Sequence, residues 1–226
     1  MIKLDTPDFD VNSLPNTLRI PIETQLLPVP EDLALSALVA PDPVPPGSHV
    51  KRINLLRYRA DSREPLGAPL IREMRIYEGL RAHPHPNLCE YRGYIPNTNG
   101  RVAGLCFKEY TVPLYRAVWT KMLFDVDKAM SDWRSAVLHL HQHGWIHNDI
   151  SSGNLMLYKD PEGLTSNSFT GIVVDLGECT KKGQTIEAET LWFSRGSKIA
   201  EEENDLYGLK QVEKFIQDGG RMEGFN

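Results

Sequence analysis

The chain has 226 residues, of which 41% are hydrophobic and 24% charged, with a formal net charge of −5. That length suits one domain built of two parts with an ample core, and the composition is that of an ordinary globular protein, requiring neither disorder nor a repeat array. No stretch carries a dense Lys/Arg run able to follow a phosphate backbone, so nucleic acid is not expected as a main partner.

Three cysteines, Cys89, Cys106 and Cys179, lack C-x-x-C spacing and make no disulfide framework, which reads as reduced thiols. The opening MIKLDTPDFDVNSLPNT places acids and a proline where a secretory signal needs an apolar core. No later apolar run approaches the about 20 residues of a membrane span. The expectation is a protein of the cytoplasm or nucleus with no membrane partner.

Residues 1–31 hold several prolines and little periodicity, and read as an extended arm with one short strand around Leu18 to Ile22. LALSALVA, residues 33–40, is either a buried strand or a helical turn, ended by Pro41, Pro43, Pro45 and Pro46. HVKRINLLRY, residues 49–58, alternates as a strand does. Between about Pro69 and Ala82, the residues Leu70, Ile71, Met74, Tyr77 and Leu80 fall at three- and four-residue spacing and form one apolar helix face, with Glu73 off that stripe. Past the turn-forming HPHPN, the runs LCEYRGYI and VAGLCFKEY are strands joined by NTNG. A second helix is predicted from about Val126 to His143, with Met130, Trp133, Val137, Leu140 and His141 inward and Gly144 as its stop. The strand WIH, the loop NDISSGN, the strand LMLY, a polar loop near 160–168 and the strand GIVVD follow. A last helix, DLYGLKQVEKFIQ, starts at Asp205.

His147 to Asn154 spell H-N-D-I-S-S-G-N, bracketed by apolar WI before and LMLY after. The spacing H-x-D-x-x-x-x-N puts one acid beside a nucleophile and one amide on a metal ion. Downstream, VVDLG at 173–177 matches a metal-binding D-F-G, with Leu176 keeping an apolar plug beside a flexible glycine. In this order the two motifs are far more specific than either alone. They make the chain resemble the eukaryotic protein kinase superfamily, in particular short kinase-like proteins of filamentous fungi, over roughly residues 49–216.

The resemblance implies an α+β, two-lobed protein kinase-like fold. Its parts would be an arm at 1–31, a strand-rich N-lobe at 32–110 and a truncated helical C-lobe at 111–226 that ends after helix F, with ATP between the lobes. It implies that Asp149 is the catalytic base and that Asn154 and Asp175 offer oxygen ligands to Mg²⁺. Lys51, in Val50-Lys51, would be the catalytic lysine on the α- and β-phosphates, aimed by Glu73. FKEY, residues 107–110, would be the hinge, and the backbone of Glu109, Tyr110 and Thr111 would hold adenine. Asp205 would brace the catalytic loop from beneath, and His147 would be structural. The implied partner is a protein phosphorylated on Ser or Thr, or else a small-molecule alcohol, and the chain is expected to act as a monomer.

Several residues depart from the pattern. Before Lys51 there is one glycine, Gly47, preceded by PDPVPP, where a glycine-rich loop would bring backbone amides to the phosphates. ATP is therefore expected to be held weakly or left more exposed. Asn148 replaces the arginine of many regulated kinases, so activity should not require activation-segment phosphorylation. Ser151 stands in place of a lysine typical of Ser/Thr kinases, and H-N-D with G-N is also similar to choline and ethanolamine kinases. Lys108 falls at the gatekeeper position, which either narrows the adenine pocket or shifts the hinge by one residue. Three readings stay open: a Ser/Thr protein kinase, a choline-kinase-like enzyme, and a pseudokinase or binding module.

Overall fold

Two small antiparallel sheets and three longer helices make up the computed structural model, which describes residues 20–62, 64–159, 169–186 and 195–221. The first sheet contains β1 (Ser48–Lys51), β2 (Tyr91–Pro96) and β3 (Val102–Lys108) in the order β1-β3-β2. Its central strand is a nearly continuous apolar run, with Val102, Leu105, Cys106 and Phe107 all buried. The register sets His49 opposite Phe107 and Lys51 opposite Leu105, so His49, Lys51 and Phe107 share one face. Beyond β2 the edge is covered by Leu38 to Ala40, whose backbone exchanges 2.8 Å hydrogen bonds with Tyr94. β1 is the opposite edge strand of this sheet.

The second sheet has the order β4 (Val112–Pro113), β6 (Leu155–Tyr158), β7 (Thr170–Val173), and a ribbon pairs β5 (Trp145–Ile146) with β8 (Thr180–Lys181). Beside a single turn, α1 (Ile22–Gln25), and a short α3 (Leu114–Trp119), three helices do most of the packing: α2 (Ala68–Leu80), α4 (Val126–Gln142) and α5 (Glu202–Gln217). Asp125 caps α4 by accepting the Lys128 amide at 2.9 Å, and Trp133, Val137 and Leu140 enter the core from its inner face. Each such side chain contributes about 1.5–3 kcal/mol by leaving water.

The predicted helices are all present, with α5 starting three residues before Asp205. Several strand expectations need correction. The described part of the segment around Leu18 to Ile22 is not a strand, because Ile22 opens a helical turn. LALSALVA takes the helical-turn alternative at its start, where the Ala37 amide reaches the Leu33 carbonyl at 2.8 Å, and Leu35 is fully exposed. The strand predicted over 49–58 ends at Lys51, since Asn54 accepts the Leu56 amide at 3.0 Å and starts a 3₁₀ turn at Leu55–Arg57. The arm before Ile20 and the polar loop 160–168 lie outside the described residues.

Candidate functional site

The H-N-D-I-S-S-G-N loop is built on a buried carboxylate. Asp205, 1% exposed in the first turn of α5, accepts the backbone amides of His147 and Asn148 at 2.8 Å each and also meets His141 Nε2 at 2.8 Å. One turn further on, Gly208 lets the helix touch the loop, for a Cβ there would lie 2.8 Å from that of Ile150. These bonds hold Asn148 at φ +62°, a left-handed conformation that asparagine tolerates better than most residues. His147 is fully buried. Its Nδ1 accepts the Asp149 amide at 3.2 Å, so Nε2 carries the proton and donates to the Val174 carbonyl at 3.2 Å.

That clamp presents the Asp149 carboxylate beside Asn154. The Asn154 amide nitrogen donates to Asp149 Oδ2 at 2.8 Å and to its carbonyl at 2.9 Å, while Asp149 Oδ1 is buried without a hydrogen-bond partner among the described residues. A buried acceptor left open in this way is costly unless something else fills it.

Across from this loop, Lys51 at the end of β1 bridges two elements. Its Nζ lies 2.7 Å from Glu73 Oε2 on α2 and 2.6 Å from Asp175 Oδ1. Glu73 also accepts the Leu176 amide at 3.1 Å, and Asp175, at φ +60°, accepts the Gly177 amide at 3.1 Å. Burial opposes the charge on Lys51, yet Glu73 and Asp175 together hold its ammonium above the ordinary lysine range. For Glu73 burial wins and raises its carboxyl despite Lys51. Asp175 is less enclosed: burial works against its charge, but Lys51 and the Gly177 amide keep it below the ordinary carboxylate range.

A cleft of about 340 Å³ joins Lys51, Glu73 and Asp175 to Asn154, with His49, Tyr77, Phe107 and Lys108 also on one side and Met156 and Val174 on the other; Asp149 lies outside its lining. Of the expected adenine-holding residues, Tyr110 lines the cleft, whereas Glu109 and Thr111 are exposed and outside the lining. The Glu109 amide is committed to the Gly47 carbonyl at 2.8 Å. Phe107 is buried against Tyr77, with ring centroids 5.0 Å apart, while Lys108 turns its Nζ to the Tyr158 ring, 4.3 Å from its centroid. Phe107, Met156 and Val174 were missed as lining residues; the period-2 alternation from His49 through Lys51, mirrored on β3, was the signal for Phe107.

Among the described residues no group of three or more His, Cys, Asp or Glu is placed to hold a metal ion. Asn154 and Asp175 are hard oxygen donors of the kind that holds Mg²⁺ together with phosphate oxygens and waters, so the donor set fits that ion and not an all-protein cage. All three cysteines are free and buried, and burial pushes the Cys179 thiol far up. Among the described residues no helix is long and apolar enough to cross a membrane.

The α+β architecture, with its strand-rich sheets and its helices, is compatible with a kinase-like fold. No protein-family model matches the chain. The chain is 27% identical over 125 residues to the serine/threonine-protein kinase YabT of Bacillus subtilis (strain 168), a match covering 53% of this chain. The matched segment spans about a third of the length of YabT, 35%.

Proposed function

We propose that the chain is an ATP-dependent phosphotransferase of protein kinase type that phosphorylates Ser or Thr hydroxyls of a protein. The observation that carries this reading is the Lys51 bridge to Glu73 and Asp175 at 2.7 and 2.6 Å on the wall of the same cleft that holds Asn154. A purely structural protein has no need for three charges gathered in one cleft, because such partly buried pairs gain little stability. The similarity to YabT, a serine/threonine-protein kinase by name, supports the same class.

In this reading residues 32–110 form an N-lobe and the chain from 111 on belongs to a C-lobe, with the nucleotide between them. Asp149 accepts the proton of the acceptor hydroxyl, its carboxylate held in place by Asn154 and the His147 loop. Lys51 meets the α- and β-phosphates, and Glu73 keeps its ammonium aimed. Asn154 and Asp175 would hold Mg²⁺, which when bound neutralises phosphate charge. Phe107 takes the gatekeeper place instead of Lys108, which shifts the hinge by one residue towards Lys108 to Tyr110. The protein works as a monomer in the cytoplasm or nucleus.

A second reading, a non-catalytic nucleotide-binding module, is favoured by β1 being an edge strand with a proline-rich lead-in, which leaves few backbone donors over the phosphates. One experiment separates the readings: thermal shift with ATP, with and without Mg²⁺, followed by radiolabel transfer to generic proteins and to a metabolite panel. Metal-dependent stabilisation with labelled protein is the expected result. Labelled metabolite would instead make the chain a small-molecule kinase, and stabilisation without transfer would make it a binding module.

A further inference from the structure

Four of the seven histidines gather outside the cleft. His83 and His85 lie in the turn between α2 and β2, while His139 lies in the last turn of α4 and His143 follows its last residue. Their rings pack against one another in a chain, tilted by 33–49°, with centroids 4.8 Å apart for His83 and His143, 4.4 Å for His139 and His143, and 4.8 Å for His85 and His139. Hydrogen bonds fix the rings as well. His139 Nε2 donates to the His83 carbonyl at 2.8 Å, and His143 Nδ1 to the His139 carbonyl at 2.8 Å. His85 Nδ1 accepts the Asn87 amide at 3.2 Å, so its proton sits on Nε2, which reaches Ser135 Oγ on α4 at 3.1 Å.

We propose that this cluster is a proton-operated clamp, which holds the α2–β2 turn on α4 while His85 and His139 are neutral and releases it when they are protonated. At His85 the geometry has room for the neutral form alone. A second proton on His85 would sit on Nδ1 and point at the Asn87 N–H, turning a hydrogen bond into a clash of two donors. Its ring would then be a cation packed against His139, which in turn packs against His143. From α4, Asp132 favours a charge on His85, but that carboxylate is held by Lys128 Nζ at 2.5 Å and the Gly171 amide at 2.9 Å.

Burial first, then the neighbouring rings, keeps His85 below the ordinary histidine range; for His139 burial again leads and outweighs the bond to His83. For groups lowered by folding, stability is fully present above the unfolded histidine value, about 6.5, and is lost as pH falls through the folded one. The turn runs on into Asn87 and Cys89, whose backbone bonds Val173 at 2.8 and 2.9 Å, and back through His83 to Leu80 at 2.8 Å. Release therefore loosens the end of α2, two turns beyond Glu73, and the end of β7 ahead of Asp175. The clamp does not depend on what the cleft binds.

The test compares the intact chain with the His85→Gln, His139→Gln double variant. Between about pH 7.5 and about pH 5 the wild-type melting temperature should fall by roughly 3 °C more than that of the variant. Amide exchange at Cys89 and Val173 should accelerate in acid in the wild type alone. An equal acid-induced fall in both proteins would overturn the clamp, as would Zn²⁺ stabilising the wild type but not the variant, which would make the cluster a metal centre. Should the variant fail to fold, ring-proton NMR of the wild type decides: His85 must titrate below about 6.5, and titration at or above that value refutes the clamp.

Discussion

The floor and the roof of the cleft are built to different standards. Beneath, the loop from His147 to Asn154 is fixed by Asp205, His147 and Asn154, with almost every polar group satisfied through bonds of 2.8–3.2 Å. Above, the sheet stops at β1, and the chain reaches it through PDPVPP and Gly47. The difference teaches where binding energy must come from: the floor offers preorganised side chains, and the roof offers little beyond Lys51. Under the proposed function, ATP then depends heavily on Mg²⁺ and on Lys51, and its Michaelis constant is high.

The largest expected effect lies on the floor. Asp149→Asn should lower turnover by about 10²–10⁴-fold while ATP affinity stays, whereas Asp175→Asn should abolish the Mg²⁺-dependent part of ATP binding. Steady-state kinetics and thermal shift with and without Mg²⁺ check both, and loss of metal-dependent binding in a folded Asp149→Asn protein would exchange the two assignments.

Next comes Asp205→Ala, which strands the amides of His147 and Asn148 and the His141 ring. A loss of roughly 3 kcal/mol is expected, a melting temperature lower by roughly 6–12 °C. An unchanged melting temperature would show the floor to be less dependent on α5 than its hydrogen bonds imply.

At the roof the effects are smaller. Lys51→Met should weaken ATP by roughly ten- to a hundredfold, the loss of one charge-assisted phosphate contact, read by calorimetric titration. Tight binding without metal in that variant would remove Lys51 from the phosphate site. Gly47→Ala should change ATP affinity by less than about twofold, because a Cβ there meets nothing within 4 Å. Its cost would be backbone strain at φ +68°, about 1–2 kcal/mol in urea unfolding. A large loss of affinity would show that Gly47 does approach the nucleotide and that the roof is better built than its residues indicate.

Local pattern made much of this legible from residues alone. The 3.6-residue period over 126–142 encodes α4 because one stripe of large apolar side chains must face the core. H-N-D-I-S-S-G-N and D-L-G stand out because each confines several polar residues to a few positions of one tight loop. What the sequence by itself determined, then, are the segments whose conformation short-range contacts dictate.

Only tertiary structure decided the rest, since it depends on partners far along the chain. Glu73 lies off the apolar stripe of α2, yet it is 1% exposed, because Lys51 and the Leu176 amide, more than 100 residues from it in one case, come to meet it there. β-strand register set the face: pairing Lys51 with Leu105 puts Phe107 on the same side as His49 and Lys51, against the cleft, and a one-residue slip would move it to the other face. The histidines of HPHPN and of α4 read separately as a turn and a helix end. They become one cluster only when the chain folds the two against each other.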